Sequence, residues 1–179
     1  MRQIDFDPLF DSLRRLDEFT AKDIRNIINP TDLPHRDYEP LLKHVEYQGT
    51  NRDICKWLVN NNLNGWECYI QFMDWYEQLR DISLKATDVA NLLMWSGDVR
   101  LYCKCPSFKY WGMQYILTQL NASIIPEDRF PHIRNPHLKG ICCKHLRRLF
   151  TVLPFQTGSI AQAVKQQRDQ LGIRYQPPP

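Results

Sequence analysis

Hydrophobic and polar residues alternate with two different periods along this chain, and the longer period, that of an α-helix, covers most of it. Apolar residues recur at intervals of three and four positions, as they do on one face of a helix. Pro8 after Asp7 is a typical helix start. The pattern predicts helices over residues 7–16, 20–28, 50–59, 74–95 in two pieces, 107–120, 144–153 and 159–171, the last one capped by Ser159 and Gly172.

The shorter period occurs in two segments in which apolar and polar residues alternate. Trp66, Cys68 and Ile70 share one side of the first segment, and residues 99–103 form the second. Such alternation is typical of strands with one buried face. We therefore expect an α+β fold that is mainly helical, with a small antiparallel sheet from residues 66–72 and 98–103. A long loop containing proline is expected over residues 121–140.

Charge is distributed unevenly along the chain. Residues 1–99 contain 11 Lys and Arg against 17 Asp and Glu, whereas residues 100–150 contain 9 against 2. We interpret this as an acidic helical lobe with one strand (1–97), a basic lobe (98–155), and a C-terminal helix with a Pro-rich tail (156–179), all within one compact domain. The basic excess predicts an anionic partner. The side chains expected to bind it are Lys109, Lys139, Lys144, Arg147 and Arg148.

The basic lobe contains two short pairs of metal-ligating residues. One residue separates Cys103 from Cys105, and one separates Cys143 from His145, with 37 residues between the pairs. Residues two apart on a strand share a face, so both sulfur atoms of the first pair can reach one ion. The second pair begins a predicted helix, whose free N–H groups favour a thiolate. Three thiolates and one imidazole are a typical closed zinc set, so we predict a structural zinc site.

Other cysteines and histidines compete for this role. Cys142 in place of Cys143 would give a Cys-x-x-His pair, but consecutive residues point to different sides, and we favour Cys143. Cys142 is then expected to pack as a small hydrophobic side chain against the 107–120 helix. His132 and His137 in the long loop are an alternative site for a second metal. The thiols expected to be inert in the core are Cys55 and Cys68.

The two pairs and their flanking residues resemble a known module. Residues 103–108 (CKCPSF) and 140–146 (GICCKHL) are similar to a SWIM zinc finger, whose pattern is C-x-C, a variable insert and C-x-H. Pro106, Lys144 and Leu146 also fit that pattern, although the insert is longer than is usual. The resemblance covers residues 99–150. It implies zinc binding by the same four residues, and binding of DNA or protein.

A second resemblance lies in the insert. Residues 108–112 (FKYWG) and 129–136 (RFPHIRNP) are similar to proteins encoded by tailed bacteriophages. We expect a minor structural protein of a tailed phage virion, in the head–tail connector or tail region, made in the host cytoplasm and docked on other virion proteins in a multi-copy assembly. The alternative is a DNA-binding SWIM-type accessory protein that acts on phage DNA.

Catalytic and membrane signals are scarce in the sequence. The chain contains no H-E-x-x-H pair, no phosphate-binding G-x-x-x-x-G-K-[ST] loop and no G-x-S-x-G turn. A zinc ion with four protein ligands also lacks the open position that catalytic zinc keeps for water. No apolar run approaches the roughly 18 residues of a membrane span. We therefore expect a non-enzymatic protein with no small-molecule substrate and no membrane association.

Overall fold

The computed structural model describes residues 44–60 and 65–177, so the helices predicted over residues 7–16 and 20–28 lie outside the described residues. In chain order the elements are β1 (His44–Asn51), β2 (Ile54–Asn60), β3 (Gly65–Phe72), α1 (Trp75–Arg80), α2 (Ala86–Trp95), β4 (Val99–Cys103), α3 (Pro106–Tyr110), α4 (Met113–Gln119), α5 (Lys144–Val152), a 3₁₀ turn (Leu153–Gln156) and α6 (Thr157–Leu171).

The four strands form one antiparallel sheet in the order β1-β2-β3-β4. The predicted pair of strands is confirmed: β3 and β4 are neighbours, and their register places Cys68 opposite Cys103 and Phe72 opposite Val99. These two strands lie on either side of the predicted lobe boundary at residue 97. The α+β fold class is also confirmed, with two more strands in the sheet than the sequence predicted.

The helix predicted over residues 50–59 is wrong, because this segment contains the end of β1 and most of β2. Ile54 and Trp57 have helical spacing, yet burial along the segment follows a period of two: Cys55, Trp57 and Val59 are buried and the residues between them are half-buried. A strand with apolar residues on both faces satisfies both periods. Pairing with β1 on one side and β3 on the other decides the conformation.

Helices cover one face of the sheet. Helix α5 contacts β1, β2 and β3, and α6 packs against α2 and β1. We call the covered side the core face. Nine of its side chains are at most 1% exposed: Cys55, Trp57, Val59, Cys68, Ile70, Phe72, Val99, Leu101 and Cys103. The alternate residues form what we call the open face, which carries half-buried polar and aromatic side chains: Lys56, Glu67, Tyr69, Arg100 and Tyr102.

The single helix predicted over residues 107–120 is two helices, α3 and α4, separated at Gly112. This glycine has a φ of 74°, in the left-handed region that other residues rarely adopt. A Cβ atom at this position would overlap the ring of Pro131, which lies in the long loop. The break therefore lets the loop approach the backbone closely.

The last helix begins earlier than predicted. The 3₁₀ turn contains Pro154 and leads directly into α6, which starts at Thr157, so Ser159 does not cap it. Its end is as predicted, at Gly172, which has a φ of 69°. Among residues 44–60 and 65–177, no helix combines the length and the apolar character that crossing a bilayer requires.

Candidate metal centre

The two predicted pairs lie where a strand and two helices begin or end. Cys103 is the last residue of β4, and Cys105 is the N-cap of α3. Cys143 is the N-cap of α5, and His145 lies in its first turn. Pro106 occupies the first position of α3, which needs no N–H donor. Each of the four side chains therefore lies at the end of a strand or at the start of a helix.

The structure brings these four side chains together. One ligand atom from each of Cys103, Cys105, Cys143 and His145 lies within 4.8 Å of all the others. The three cysteines are at most 1% exposed, and the histidine is 4% exposed. Distances of this size suit atoms that surround one ion, because ligands about 2.0–2.3 Å from a metal lie up to roughly twice that distance apart. The cluster can therefore hold a metal ion.

The three thiols of the cluster differ in their pKa values, and the surroundings favour the thiolate form only at Cys105. Hydrogen bonds with Cys103 and then Cys143 lower the pKa of the Cys105 thiol well below its ordinary value. The backbone N–H of Phe108 also donates to Cys105 Sγ, at 3.3 Å. Burial instead raises the pKa of both Cys103 and Cys143. A divalent cation would stabilise all three as thiolates, since metal binding displaces the protons of its thiol ligands.

The imidazole of the cluster is enclosed by the protein. His145 Nδ1 is buried and has no hydrogen-bond partner in the described part of the protein. A buried polar atom without a partner costs free energy, so such atoms are rare. The ring lies beside Trp66 of β3, with 6.4 Å between the ring centroids. One of its two ring nitrogens is the ligand atom that the cluster contains, and a bound ion would give that nitrogen a partner.

A fourth thiol, which the sequence predicts only as an inert core residue, lies next to the three thiols of the cluster. Cys68 Sγ lies 3.6 Å from Cys103 Sγ and donates to it. Cys68 is fully buried and faces Cys103 across the β3–β4 pair. A thiol that donates to a metal-bound thiolate stabilises its charge and orientation. The alternation of β3 placed Cys68 on the buried face, but only the register of the two strands reveals this contact.

The long loop is anchored by a buried asparagine that the hydrophobic pattern of the sequence does not single out. Asn135 is 5% exposed, and its Nδ2 donates to the carbonyl groups of Trp111 at 3.0 Å and of Lys139 at 2.9 Å. The backbone N–H of Lys139 donates in return to Asn135 Oδ1, at 2.8 Å. These bonds connect the loop to the end of α3. These hydrogen bonds fix the course of the loop that leads from the first ligand pair to the second.

The competing ligands lie outside the cluster. Cys142 is 1% exposed and is not one of the four clustered residues, and burial raises the pKa of its thiol to about 12. The ring of His132 contacts that of Phe130, with 4.8 Å between their centroids. Neither His132 nor His137 belongs to a group of three metal-ligating side chains within the described ranges. The structure thus places Cys143 rather than Cys142 beside the other ligands.

The predicted anion-binding residues differ in exposure. Lys109 and Lys139 are exposed, and Lys109 lies 6.0 Å from the centre of the Tyr110 ring. Lys144, Arg147 and Arg148 are half-buried on α5, whose other face packs into the core. The set therefore contains two freely accessible side chains and three that α5 holds close to the protein.

Comparisons of this chain with family models, with curated proteins and with solved structures give no match. The geometry of the buried cluster and the chemistry of its four side chains are therefore what indicate that it can hold a metal ion.

Proposed function

We propose that the cluster holds one zinc ion in a structural role and that the protein is a non-enzymatic binding module stabilised by this ion. The observation that carries the proposal is the convergence of three buried sulfur atoms and one buried imidazole nitrogen within 4.8 Å. Soft thiolate ligands with one imidazole in a four-ligand set favour zinc over magnesium, calcium or manganese. Catalytic zinc usually has three protein ligands and a water, whereas this set provides four protein ligands.

The ion would join two parts of the chain that are distant in sequence. Cys103 and Cys105 mark the end of the sheet and the start of α3, while Cys143 and His145 begin α5. Bonds from the ion to all four ligands would close the long loop between the two pairs. Closing such a loop costs conformational entropy, which the free energy of metal binding offsets. The ion would thereby hold α5 against the sheet, which it contacts through β1, β2 and β3.

For the partner, we propose other proteins in a multi-copy assembly, with the chain as a minor structural protein of a tailed phage virion. The resemblance of residues 108–112 and 129–136 to phage proteins supports this. Ile133, inside the second of these segments, is 93% exposed, and Phe155 in the 3₁₀ turn is 85% exposed. Large apolar side chains that are this exposed are suitable anchors at a protein interface.

Two measurements test the proposal in order. Metal analysis of the purified chain should give about one zinc per molecule, and a Cys103→Ser, Cys143→Ser double variant should contain none. Mass spectrometry of purified virions should then find the chain in the particle. Ile133→Ser with Phe155→Ser should reduce its incorporation at unchanged zinc content, whereas Leu171→Ser, at a side chain that is 62% exposed, should not. A zinc-free wild-type protein, or absence from the particle, would contradict the respective half.

The alternative function is binding of duplex DNA, which the exposed Lys109 and Lys139 favour. If all five predicted anion-binding residues contact phosphates, the logarithm of the binding constant should fall with the logarithm of salt concentration at a slope of about −4 to −5. The Arg147→Ala, Arg148→Ala pair should make that slope shallower by about two. A nanomolar complex with this salt dependence would favour the DNA-binding function over assembly.

A further inference from the structure

The open face of the sheet contains a groove that neither the metal cluster nor the proposed assembly role uses. It has a volume of about 520 Å³ and is lined by the end of β1, by each of the other three strands and by residues 124–125. Binding sites for small molecules commonly have volumes of about 300–1,000 Å³. A groove of this size that is lined by all four strands can accept a ligand across them.

Two aromatic rings lie side by side in this groove. Tyr69 of β3 and Tyr102 of β4 are register partners, and their ring centroids are 6.0 Å apart with 41° between the ring planes. Both side chains are half-buried and line the groove. Ile124 adds an apolar wall. Adjacent rings in an accessible groove are a platform on which planar aromatic groups can stack.

The charged side chains that line the groove are Lys56 and Lys104, and both are basic. Each forms an ion pair with Glu67, whose carboxylate lies on the same face of the sheet. Lys104 Nζ is also 5.9 Å from the centre of the Tyr69 ring. The groove therefore presents positive charge directly beside an aromatic surface. A matching ligand needs a planar ring and an anionic group that are covalently joined.

We propose that this groove binds single-stranded nucleic acid. Its bases stack on Tyr69 and Tyr102, and its phosphates contact the ammonium groups of Lys56 and Lys104. Single strands are the suitable form, because their unpaired bases can turn towards a protein surface and stack on aromatic side chains. Glu67 competes with the phosphates for both lysines, so this carboxylate weakens the binding while it positions the two ammonium groups.

The experiment is fluorescence anisotropy of the full chain with a labelled 12-nucleotide oligothymidylate. Tyr102→Ala should weaken binding about tenfold, whereas Tyr102→Phe, which keeps the ring, should bind like the wild type. The Lys56→Ala, Lys104→Ala pair should make the salt slope shallower by about 1.4, since each phosphate contact on a single strand contributes about 0.7. Lys165→Ala, at an exposed lysine on α6 outside the groove, is the matched control. An unchanged far-UV circular dichroism spectrum shows that each variant remains folded.

A change of opposite sign makes the test specific. Glu67→Gln should tighten binding several-fold, because it releases both lysines to the phosphates. Glu77→Gln removes the same charge from an exposed position on α1 and should have little effect. No binding of the oligonucleotide would overturn the proposal. It would equally be overturned if Tyr102→Ala left the affinity unchanged, if the two glutamate variants behaved alike, or if duplex DNA of the same length competed as well as the single strand.

Discussion

The two faces of the sheet are formed by alternate residues of the same strands, yet reactive side chains are buried on one face and accessible to water on the other. On the core face, Cys68 and Cys103 are buried. Cys103 belongs to the four-residue cluster, and Cys68 Sγ contacts Cys103 Sγ. On the open face, their chain neighbours Glu67 and Tyr102 are half-buried, and the Glu67 carboxylate binds two lysines. A shift of one residue along a strand exchanges these two environments.

The comparison shows how burial sets the strength of an interaction. A charged group inside the core must be compensated by a partner, because removal of that partner leaves an uncompensated charge away from water. An ion pair that water can reach contributes little, about 0–1 kcal/mol, because water screens and solvates both partners. Substitutions on the core face should therefore have large effects on folding, and those on the open face small ones.

The largest effect is expected at the metal ligands. Cys105→Ser or His145→Ala should abolish metal binding and unfold at least residues 98–153, because structural zinc sites contribute about 10 kcal/mol or more to folding in small modules. Metal analysis together with circular dichroism measures both results, and a strong chelator should reproduce them in the wild type. Cys142→Ala is the matched control, with unchanged zinc and a cost of at most about 1–2 kcal/mol. Loss of zinc in Cys142→Ala but not in Cys143→Ala would refute the ligand assignment.

Neighbouring residues of β4 provide the next comparison. Leu101 is fully buried on the core face, so Leu101→Ala should lower the free energy of unfolding by about 2–5 kcal/mol. Tyr102 faces the groove and makes an edge-to-face contact with Phe108, at 5.8 Å between ring centroids. Tyr102→Ala should cost less than Leu101→Ala, because the Tyr102 side chain is only half-buried; the aromatic contact itself contributes about 0.5–1.5 kcal/mol beyond the area that the ring buries. Urea denaturation of both variants gives the two values, and equal costs would show that the two faces do not differ as described.

Cys68 and Cys55 are two buried thiols on the same face of the sheet, and only the first of them contacts the cluster. Cys68→Ala should leave one metal ion per chain but weaken metal affinity about tenfold, because it removes the thiol beside Cys103. The Cys55 thiol bonds to Thr50, at 3.0 Å, and lies outside the four-residue cluster. Cys55→Ala should leave the affinity unchanged. Competition with a chromogenic chelator measures both affinities, and equal values for the two variants would remove Cys68 from any role at the site.

The smallest effect is expected at Glu67 on the open face. Its pKa is lowered to about 2, first by Lys104 and then by Lys56 and Tyr69. A lowered folded-state pKa means that the stabilisation is complete well above the ordinary value, about 4.3, and is lost as the pH falls towards 2. At pH 7, Glu67→Gln should cost less than about 1 kcal/mol, and salt should reduce that cost further. Urea midpoints at low and high salt test this, and a larger, salt-independent cost would contradict it.

The parts of the fold that the sequence predicted correctly depend on local patterns. Helices α1, α2 and α5 follow apolar spacing within single segments, and β3 and β4 follow strict alternation. The helix expected over residues 50–59 failed because β2 has apolar side chains on both faces, so its spacing fits two periods. Only the pairing of β2 with β1 and β3 decides between helix and strand. Local sequence patterns do not show this pairing, because it is made between separate segments of the chain.

The candidate site shows the same division. The one-residue spacing within each ligand pair is local, so the sequence by itself identified Cys103, Cys105, Cys143 and His145 as a possible four-ligand set. Only the tertiary structure decided that the two pairs lie within 4.8 Å of each other. The contact with Cys68, 35 residues away from Cys103, likewise depends on strand register. Covalent neighbours restrict each other along the chain, whereas the position of distant neighbours is set by packing and strand pairing of the whole fold.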